Sequence, residues 1–183
     1  MGILNWSIMT INLSFRGDVK LLIYLDSMAP AGGIERVVSK HIVFFSKNTT
    51  VTLLTKDTKT SFYDLPFDLE IKSLNVNCDF NMKNKLQRIY QTIKQIIKTR
   101  GKLKNHNSDY DLIYCTHVRN LLELYVSGID LNKVIITEHG SYYGYNKIYK
   151  ILKKILYPKC KYVVSPTVMD YEIYKSQNCN AFY

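Results

Sequence analysis

The sequence predicts a single α/β domain, a Rossmann-like three-layer sandwich built around a mainly parallel sheet. Short apolar runs such as VKLLIYL, TTVTLLT and YDLIYCTH alternate with longer amphipathic segments. That alternation is the signature of repeated strand–helix–strand units. The chain has 183 residues, of which 46% are hydrophobic, and this length suits one domain with a core of its own.

The first three predicted elements form one strand–helix–strand unit. Residues 19–25 are nearly all apolar, as in a strand that is buried on both faces. The next segment is predicted as a helix, and residues 49–55 as the second strand. The apolar residues that fall on one face of that helix are Ile34, Val37, Val38, Ile42 and Phe45.

The same pattern continues along the chain. LEIKSL is predicted as a third strand, and a long helix follows that Gly101 ends. Strands are predicted in YDLIYCTH, KVIITEHG and KYVVSPT, each followed by a helix. The final residues, NCNAFY, predict no further element. Residues 1–18 are interpreted as an N-terminal extension, and residues 19–183 as the domain.

The formal net charge of +10 favours anionic partners. No recognised DNA- or RNA-binding motif is present, so nucleic acid is not the expected partner. Residues 83–104 and 147–161 contain many lysines and no acidic residue. Both stretches are predicted as basic amphipathic helices, and Lys150, Lys153 and Lys154 are candidates for contact with an anionic membrane surface. A solvated helix face is the alternative.

The four cysteines are far apart in the sequence, and neither a Cys-x-x-Cys pair nor a zinc-type spacing occurs. We therefore expect a reducing compartment and no metal site. No apolar run has the length of a membrane span. The expected location is the cytoplasm, with peripheral binding to the inner face of the plasma membrane as a further option.

Candidate site residues follow three of the predicted strands. These are Gly32 and Gly33 after the first strand, His117 after the strand in YDLIYCTH, and Glu138 with His139 after the strand in VIIT. Ligands of open parallel sheets bind beyond the carboxyl ends of the strands. Glycines at a helix start suit a diphosphate, although a tight turn explains them too. The histidines suit hydrogen bonding to a sugar or phosphate, or proton transfer, and polar loop residues are the alternative.

These motifs, taken in order, resemble a known family. GGIERVV, DLIYCTH, VIITEHG and YKILKKILYPKCKYVVSPT are similar to the N-terminal domain of glycosyltransferase family 4, whose enzymes have the GT-B architecture. The resemblance runs from about residue 19 to the end of the chain. It implies transfer of a sugar from a nucleotide-sugar donor to a glycan or lipid-linked acceptor, usually with retained configuration and without a required metal or other cofactor. The implied pathway is bacterial surface polysaccharide synthesis.

The resemblance also implies roles for individual residues. Gly32 and Gly33 would face the donor diphosphate and the acceptor, and His117 would be the catalytic histidine that reaches the transferred sugar. Glu138 and His139 would lie at the acceptor-side rim.

In the family a second domain binds the donor, and it begins about where this sequence ends. Glycosyl transfer needs stabilisation of the leaving-group charge, and one helix N-terminus contributes only about 0.3 to 2 kcal/mol. We therefore expect this chain to be inactive alone, as a truncated gene product, a fragment, or one half of a split enzyme whose other subunit binds the donor. Two alternatives stay open: a non-catalytic membrane-associated module that recruits a catalytic partner, and a stand-alone nucleotide-binding domain. The second lacks both G-x-G-x-x-G and G-x-x-x-x-G-K-[ST].

Overall fold

A computed structural model describes residues 19–76, 85–104 and 109–183. The predicted α/β class is confirmed, because one seven-stranded sheet runs through these residues with helices on both faces. All neighbouring strands are parallel, in the order β3-β2-β1-β4-β5-β6-β7. The interpretation of residues 1–18 as an extension lies outside the described residues.

The strands are β1 (Lys20–Leu25), β2 (Thr50–Thr55), β3 (Glu70–Ser73), β4 (Leu112–Cys115), β5 (Val134–Thr137), β6 (Tyr162–Val164) and β7 (Ala181–Phe182). The α-helices of the described residues are α1 (Gly33–Phe45), α2 (Lys85–Leu103), α3 (Val118–Val126), α4 (Lys147–Leu156) and α5 (Val168–Ser176). The helix α2 continues through Gly101, which was predicted to end it. Short 3-10 turns occur at Leu131–Lys133, Tyr142–Gly144 and Tyr157–Lys159.

The sheet divides the core into two layers, as the interior strand β1 illustrates. Leu22 and Tyr24 pack into the larger cluster, whereas Leu21, Ile23 and Leu25 pack into the smaller one. Alternate residues of a strand point to opposite faces, so a strand covered on both sides has no polar face. This is why the apolar runs in the sequence are continuous.

Helices cover both layers. On one face, α1 contributes Val38, Ile42 and Phe45. On the other, α3 and α4 contribute residues such as Leu121 and Leu156. In that layer α3 packs between α2 and α4.

The prediction that NCNAFY forms no further element was wrong. Ala181 and Phe182 form β7, which pairs with Val163 and Val164 of β6. A two-residue strand is too short to show any periodicity, so it is visible only once β6 is in position.

Candidate functional site

The structure brings the predicted glycine and histidine positions to neighbouring strand ends. β1 lies beside β4, and β4 beside β5. Gly32, His117 and His139 follow these three strands at the carboxyl edge of the sheet. These three residues therefore lie along the carboxyl edge of the sheet, where the sequence predicted strand-end residues to meet.

His117 is held in place by the start of α3. It is the N-cap residue of that helix, and its Nδ1 accepts a hydrogen bond from the backbone N–H of Arg119 at 3.0 Å. An Nδ1 that accepts carries no proton, so in the neutral ring the proton lies on Nε2. The helix cap therefore fixes His117 as an Nε2–H donor.

His117 also stays neutral at ordinary pH. Burial lowers its pKa to about 4, and the positive charge of Arg119 adds to that effect. Its ring meets the edge of the Tyr149 ring, with centroids 5.6 Å apart. A neutral, fixed donor can bind a sugar hydroxyl, and it is a poor acceptor of a proton near pH 7.

Gly32 and Gly33 form the start of α1. Gly32 is the N-cap residue and has an ordinary extended backbone, while its carbonyl accepts a hydrogen bond from the Tyr63 hydroxyl at 3.0 Å. A methyl group on Gly32 would clash with the Glu35 carboxylate, which folds back to the helix start. A methyl group on Gly33 would meet nothing within 4 Å. The close neighbour at this corner is thus an acidic side chain of the same helix.

A buried ionic cluster underlies this part of the edge. Lys56, which directly follows β2, is fully buried and lies 2.6 Å from Asp26 and 2.6 Å from Glu123. Arg119 also pairs with Asp26. Although burial raises the pKa of Asp26, Lys56 and Arg119 together hold it below its ordinary value. Tyr24 donates to Glu123 at 2.7 Å.

Sequence reasoning missed this cluster, although a signal was present. Asp26 and Lys56 directly follow predicted strands, which is the same rule that selected His117. Glu123 occupies a core-facing position of α3, where a charged residue requires a partner.

A second buried cluster contains Lys153 and Glu138, and it contradicts the roles predicted for both. Lys153, proposed for a membrane surface, is fully buried and lies 2.9 Å from the Glu138 carboxylate. That prediction was wrong, because Lys153 is on the inner face of α4. Glu138 is only 2% exposed and also accepts hydrogen bonds from Tyr145 and Tyr157. It therefore anchors α4 beneath the rim instead of lining it.

Electrostatics and aromatic packing support this pair. Burial raises the pKa of Glu138 and lowers that of Lys153, and their mutual attraction offsets part of both shifts. The Lys153 ammonium lies 3.2 Å from the centre of the Tyr145 ring and 3.2 Å from the Tyr174 hydroxyl. A cation over aromatic faces gains further attraction.

His41 and His139 lie near each other. His41 is buried in α1, and its Nδ1 shares a hydrogen bond of 2.9 Å with the Tyr114 hydroxyl. Burial lowers the pKa of His41 to about 4, and nearby His139 contributes. The pKa of His139 is also lowered by burial, and its Nε2 has no hydrogen-bond partner among the described residues.

The depressed histidine pKa predicts a pH-dependent stability. The unfolded chain binds a proton to His41 near pH 6.5, whereas the folded chain does so only near pH 4. The contribution of His41 to stability is therefore complete above about pH 6.5 and is lost as the pH falls towards 4, by up to about 3 kcal/mol. Urea unfolding measured across this range should give a shallower pH slope for His41→Asn. An unchanged slope would contradict the assignment.

The other membrane candidates differ in exposure. Lys154 is exposed and Lys150 is half-buried, its ammonium lying 5.4 Å from the Tyr142 ring centre. Within the described residues no helix has the length and apolar character needed to cross a bilayer. Over the same ranges, no group of three or more His, Cys, Asp or Glu side chains is arranged to hold a metal ion.

The fold and this edge define a parallel α/β domain whose candidate site lies at the carboxyl ends of β1, β4 and β5. A sucrose-phosphate synthase from Thermosynechococcus elongatus is similar at 10% sequence identity and a TM-score of 0.61, over 86% of this chain and 45% of that chain. The lipopolysaccharide outer core galactosyltransferase WaaB, in its apo form, is similar at 14% identity and a TM-score of 0.59, over 90% and 45%.

No protein-family model matches the chain, and no curated protein sequence matches it either. At such low identities the two structures show a shared fold. The chain spans about 45% of the length of each.

Proposed function

We propose that residues 19–183 form the acceptor-side domain of a family 4 glycosyltransferase. The reaction would move a sugar from a nucleotide-sugar donor to a lipid-linked or polysaccharide acceptor in bacterial surface polysaccharide synthesis. The observation that carries the proposal is His117, a neutral Nε2–H donor fixed by the α3 cap on the edge that also holds the glycine corner. The names of the two similar structures, a galactosyltransferase and a sucrose-phosphate synthase, agree with it.

His117 would act by hydrogen bonding. Its Nε2–H would donate to a hydroxyl of the transferred sugar and orient the ring for attack by the acceptor. Because its pKa is about 4, it would not serve as the general base. His139 would contact the acceptor at the neighbouring strand end.

The donor diphosphate would be held mainly by a separate donor-binding unit. Two cations at this edge, Lys56 and Arg119, are already paired with Asp26. The Glu35 carboxylate folds back to the start of α1, where an anion would otherwise be attracted. These features favour a domain that is inactive alone and becomes competent with a donor-binding partner.

The test maps ligand contacts by amide chemical shifts in the purified chain. UDP-glucose, UDP-galactose, GDP-mannose and monomeric octyl glucoside serve as probes. Because the main diphosphate contacts would lie in the separate unit, weak but saturable binding is expected at high probe concentration. The shifts should occur at Gly32, Gly33 and His117, with Asp111 at the opposite edge unchanged. A response confined to other residues, or none, would contradict the proposal, and turnover by the chain alone would refute the need for a partner.

Gly33→Ala provides a matched variant for this test. The position opens α1 and has free space around it, so alanine should raise the unfolding free energy by about 0.4 to 1 kcal/mol. If the bare backbone serves ligand approach, binding of the probes should weaken in this more stable variant.

The second candidate is a non-catalytic membrane-associated module that recruits a catalytic partner. Exposed isoleucines on the basic helix α4 favour it. Co-purification of a nucleotide-sugar-binding partner that restores turnover would support the glycosyltransferase. Vesicle binding without shifts at the glycine corner would support the module.

A further inference from the structure

The strand β3 forms one edge of the sheet, and its outer side is open. It pairs with β2 along Glu70–Ser73, and among the described residues no strand lies on its other side. Glu70, Ile71 and Ser73 are exposed, Ile71 to 56%. Unpaired N–H and C=O groups on a strand edge are a template for a further strand. The β3 edge is therefore a candidate interaction surface.

The register of β3 shows which of its backbone groups point outwards. Thr55 lies opposite Ser73, and the Leu74 N–H donates to the Thr55 carbonyl at 2.8 Å. The N–H and C=O of one residue point to the same side of a strand, and that side alternates along the chain. Lys72 therefore faces β2, as Leu74 does. Ile71 and Ser73 direct both groups away from the sheet.

The charges on either side of Ile71 fit a second copy of this chain. Two β3 strands can pair antiparallel with Ile71 on the two-fold axis, where each Ile71 N–H donates to the partner's Ile71 carbonyl. Glu70 then lies directly opposite the partner's Lys72, and the reverse pair forms by symmetry. The two exposed Ile71 side chains cover each other. Opposite charges and apolar side chains at such positions attract, whereas like charges repel.

The same charges exclude the neighbouring register. Centring the pair on Lys72 would bring two ammonium groups directly opposite each other, which is destabilising. In the Ile71 register each Lys72 lies between two carboxylates, because it is already 3.1 Å from Glu70 of its own strand. The charge pattern therefore selects one alignment of the two strands.

Self-pairing of β3 also produces a closed assembly. An antiparallel pair of identical strands has two-fold symmetry, so both β3 edges are covered and no further copy can add to them. The other edge strand, β7, has only the two residues Ala181 and Phe182, which is too short for a comparable ladder. A head-to-tail pairing of β3 with β7 would not close in this way.

We propose that β3 is the interface of a two-fold homodimer in which two seven-stranded sheets join through the Ile71 pair. The interface is small, so the dimer is weak and reversible. The candidate site follows β1, β4 and β5, which lie two or more strand positions from β3. The site therefore stays open in the dimer. The pairing requires no sugar chemistry and does not depend on the proposed function.

Ile71→Pro tests the backbone pairing in the full chain. Proline has no N–H, and an edge strand tolerates it where that N–H faces solvent, so the monomer should stay folded. Sedimentation velocity over about a hundredfold range of protein concentration should show a concentration-dependent dimer for the wild type. Ile71→Pro should dimerise at least about tenfold more weakly. Circular dichroism checks that the variant is folded.

Two charge reversals test the register without a proline. Glu70→Lys and Lys72→Glu each place like charges opposite each other twice, so each variant should dimerise at least about tenfold more weakly at about 0.05 M salt. An equimolar mixture of the two variants should regain a dimer, because every lysine then faces a glutamate of the other variant. Single variants that dimerise as tightly as the wild type would overturn the pairing.

A control changes an exposed apolar surface elsewhere. Ile93→Ser/Ile97→Ser alters two exposed isoleucines of α2, and the affinity of its dimer should stay within about twofold of the wild type. A wild type that is monomeric at every concentration overturns the proposal. So does a dimer that a folded Ile71→Pro variant retains, or one that the control variant dissociates.

Discussion

Replacing Lys153 by methionine is expected to lower the unfolding free energy by about 3 to 5 kcal/mol, because it leaves Glu138 as a buried charge without its cation. The adjacent Lys154→Met should change it by no more than about 0.5 kcal/mol, since that side chain is exposed. The two lysines are neighbours in sequence and differ in which side of α4 they occupy. Urea unfolding of both variants measures the difference directly.

A pH series separates the charge effect from lost packing. With Lys153 gone, the pKa of Glu138, already raised by burial, should rise further. The folded variant then binds a proton more readily than the unfolded chain, so its deficit should shrink as the pH is lowered. Lys153→Met/Glu138→Gln should recover part of the loss. Equal stability of the two single variants would refute the buried pair.

Lys153 also shows what periodicity can establish about a helix. It lies four residues after Tyr149 and three before Leu156, so its position falls on the inward stripe of α4. A lysine is rarely fully buried unless paired, and its partner Glu138 comes from a different element. The inward position of Lys153 could therefore be predicted from the sequence. Its pairing with Glu138, which offsets the cost of burying the charge, could not, because it depends on how β5 and α4 pack.

More of the fold than of the candidate site could be predicted from the sequence. Continuous apolar runs such as those in β1 and β4 require cover on both faces, and the intervening helical periodicity supplies that cover. Six strands and the parallel arrangement follow from this local information. The short strand β7 does not, because its two residues pair only with an edge that β6 provides.

At the site, the rule that ligands bind beyond the carboxyl ends of the strands identified His117 and the glycine corner. It did not predict the contacts that hold these residues in place. The tautomer of His117 depends on its hydrogen bond with the Arg119 backbone, which exists only once α3 begins at that residue. The neighbour of Gly32 proved to be Glu35, three residues along the same helix. In the sequence, Glu35 is visible only as part of the motif GGIERVV.

Lys56→Met is expected to be as damaging as Lys153→Met. Lys56 is the shared cation of Asp26 and Glu123, and its side chain is fully buried. Removing it leaves the buried Glu123 carboxylate without its cation, and the unfolding free energy should fall by about 3 to 5 kcal/mol. Lys72→Met is the matched control, because Lys72 pairs with Glu70 in a solvent-exposed bridge worth about 0 to 1 kcal/mol.

The same variant should change the titration of His117. Burial is the largest cause that lowers the pKa of His117. The charge of Arg119 adds to it, and those of Lys153 and Lys56 contribute less, while Asp26 raises the pKa. Without Lys56 the attraction of Asp26 is opposed by fewer cations, so the pKa of His117 should rise above about 4. It should stay below its ordinary value, because burial is the largest cause. The double variant Lys56→Met/Glu123→Gln also removes the unpaired carboxylate. It should regain stability and keep the raised pKa of His117, as measured by NMR titration of the imidazole ring. An unchanged His117 pKa would show that the ionic cluster supports the fold and leaves the histidine unaffected.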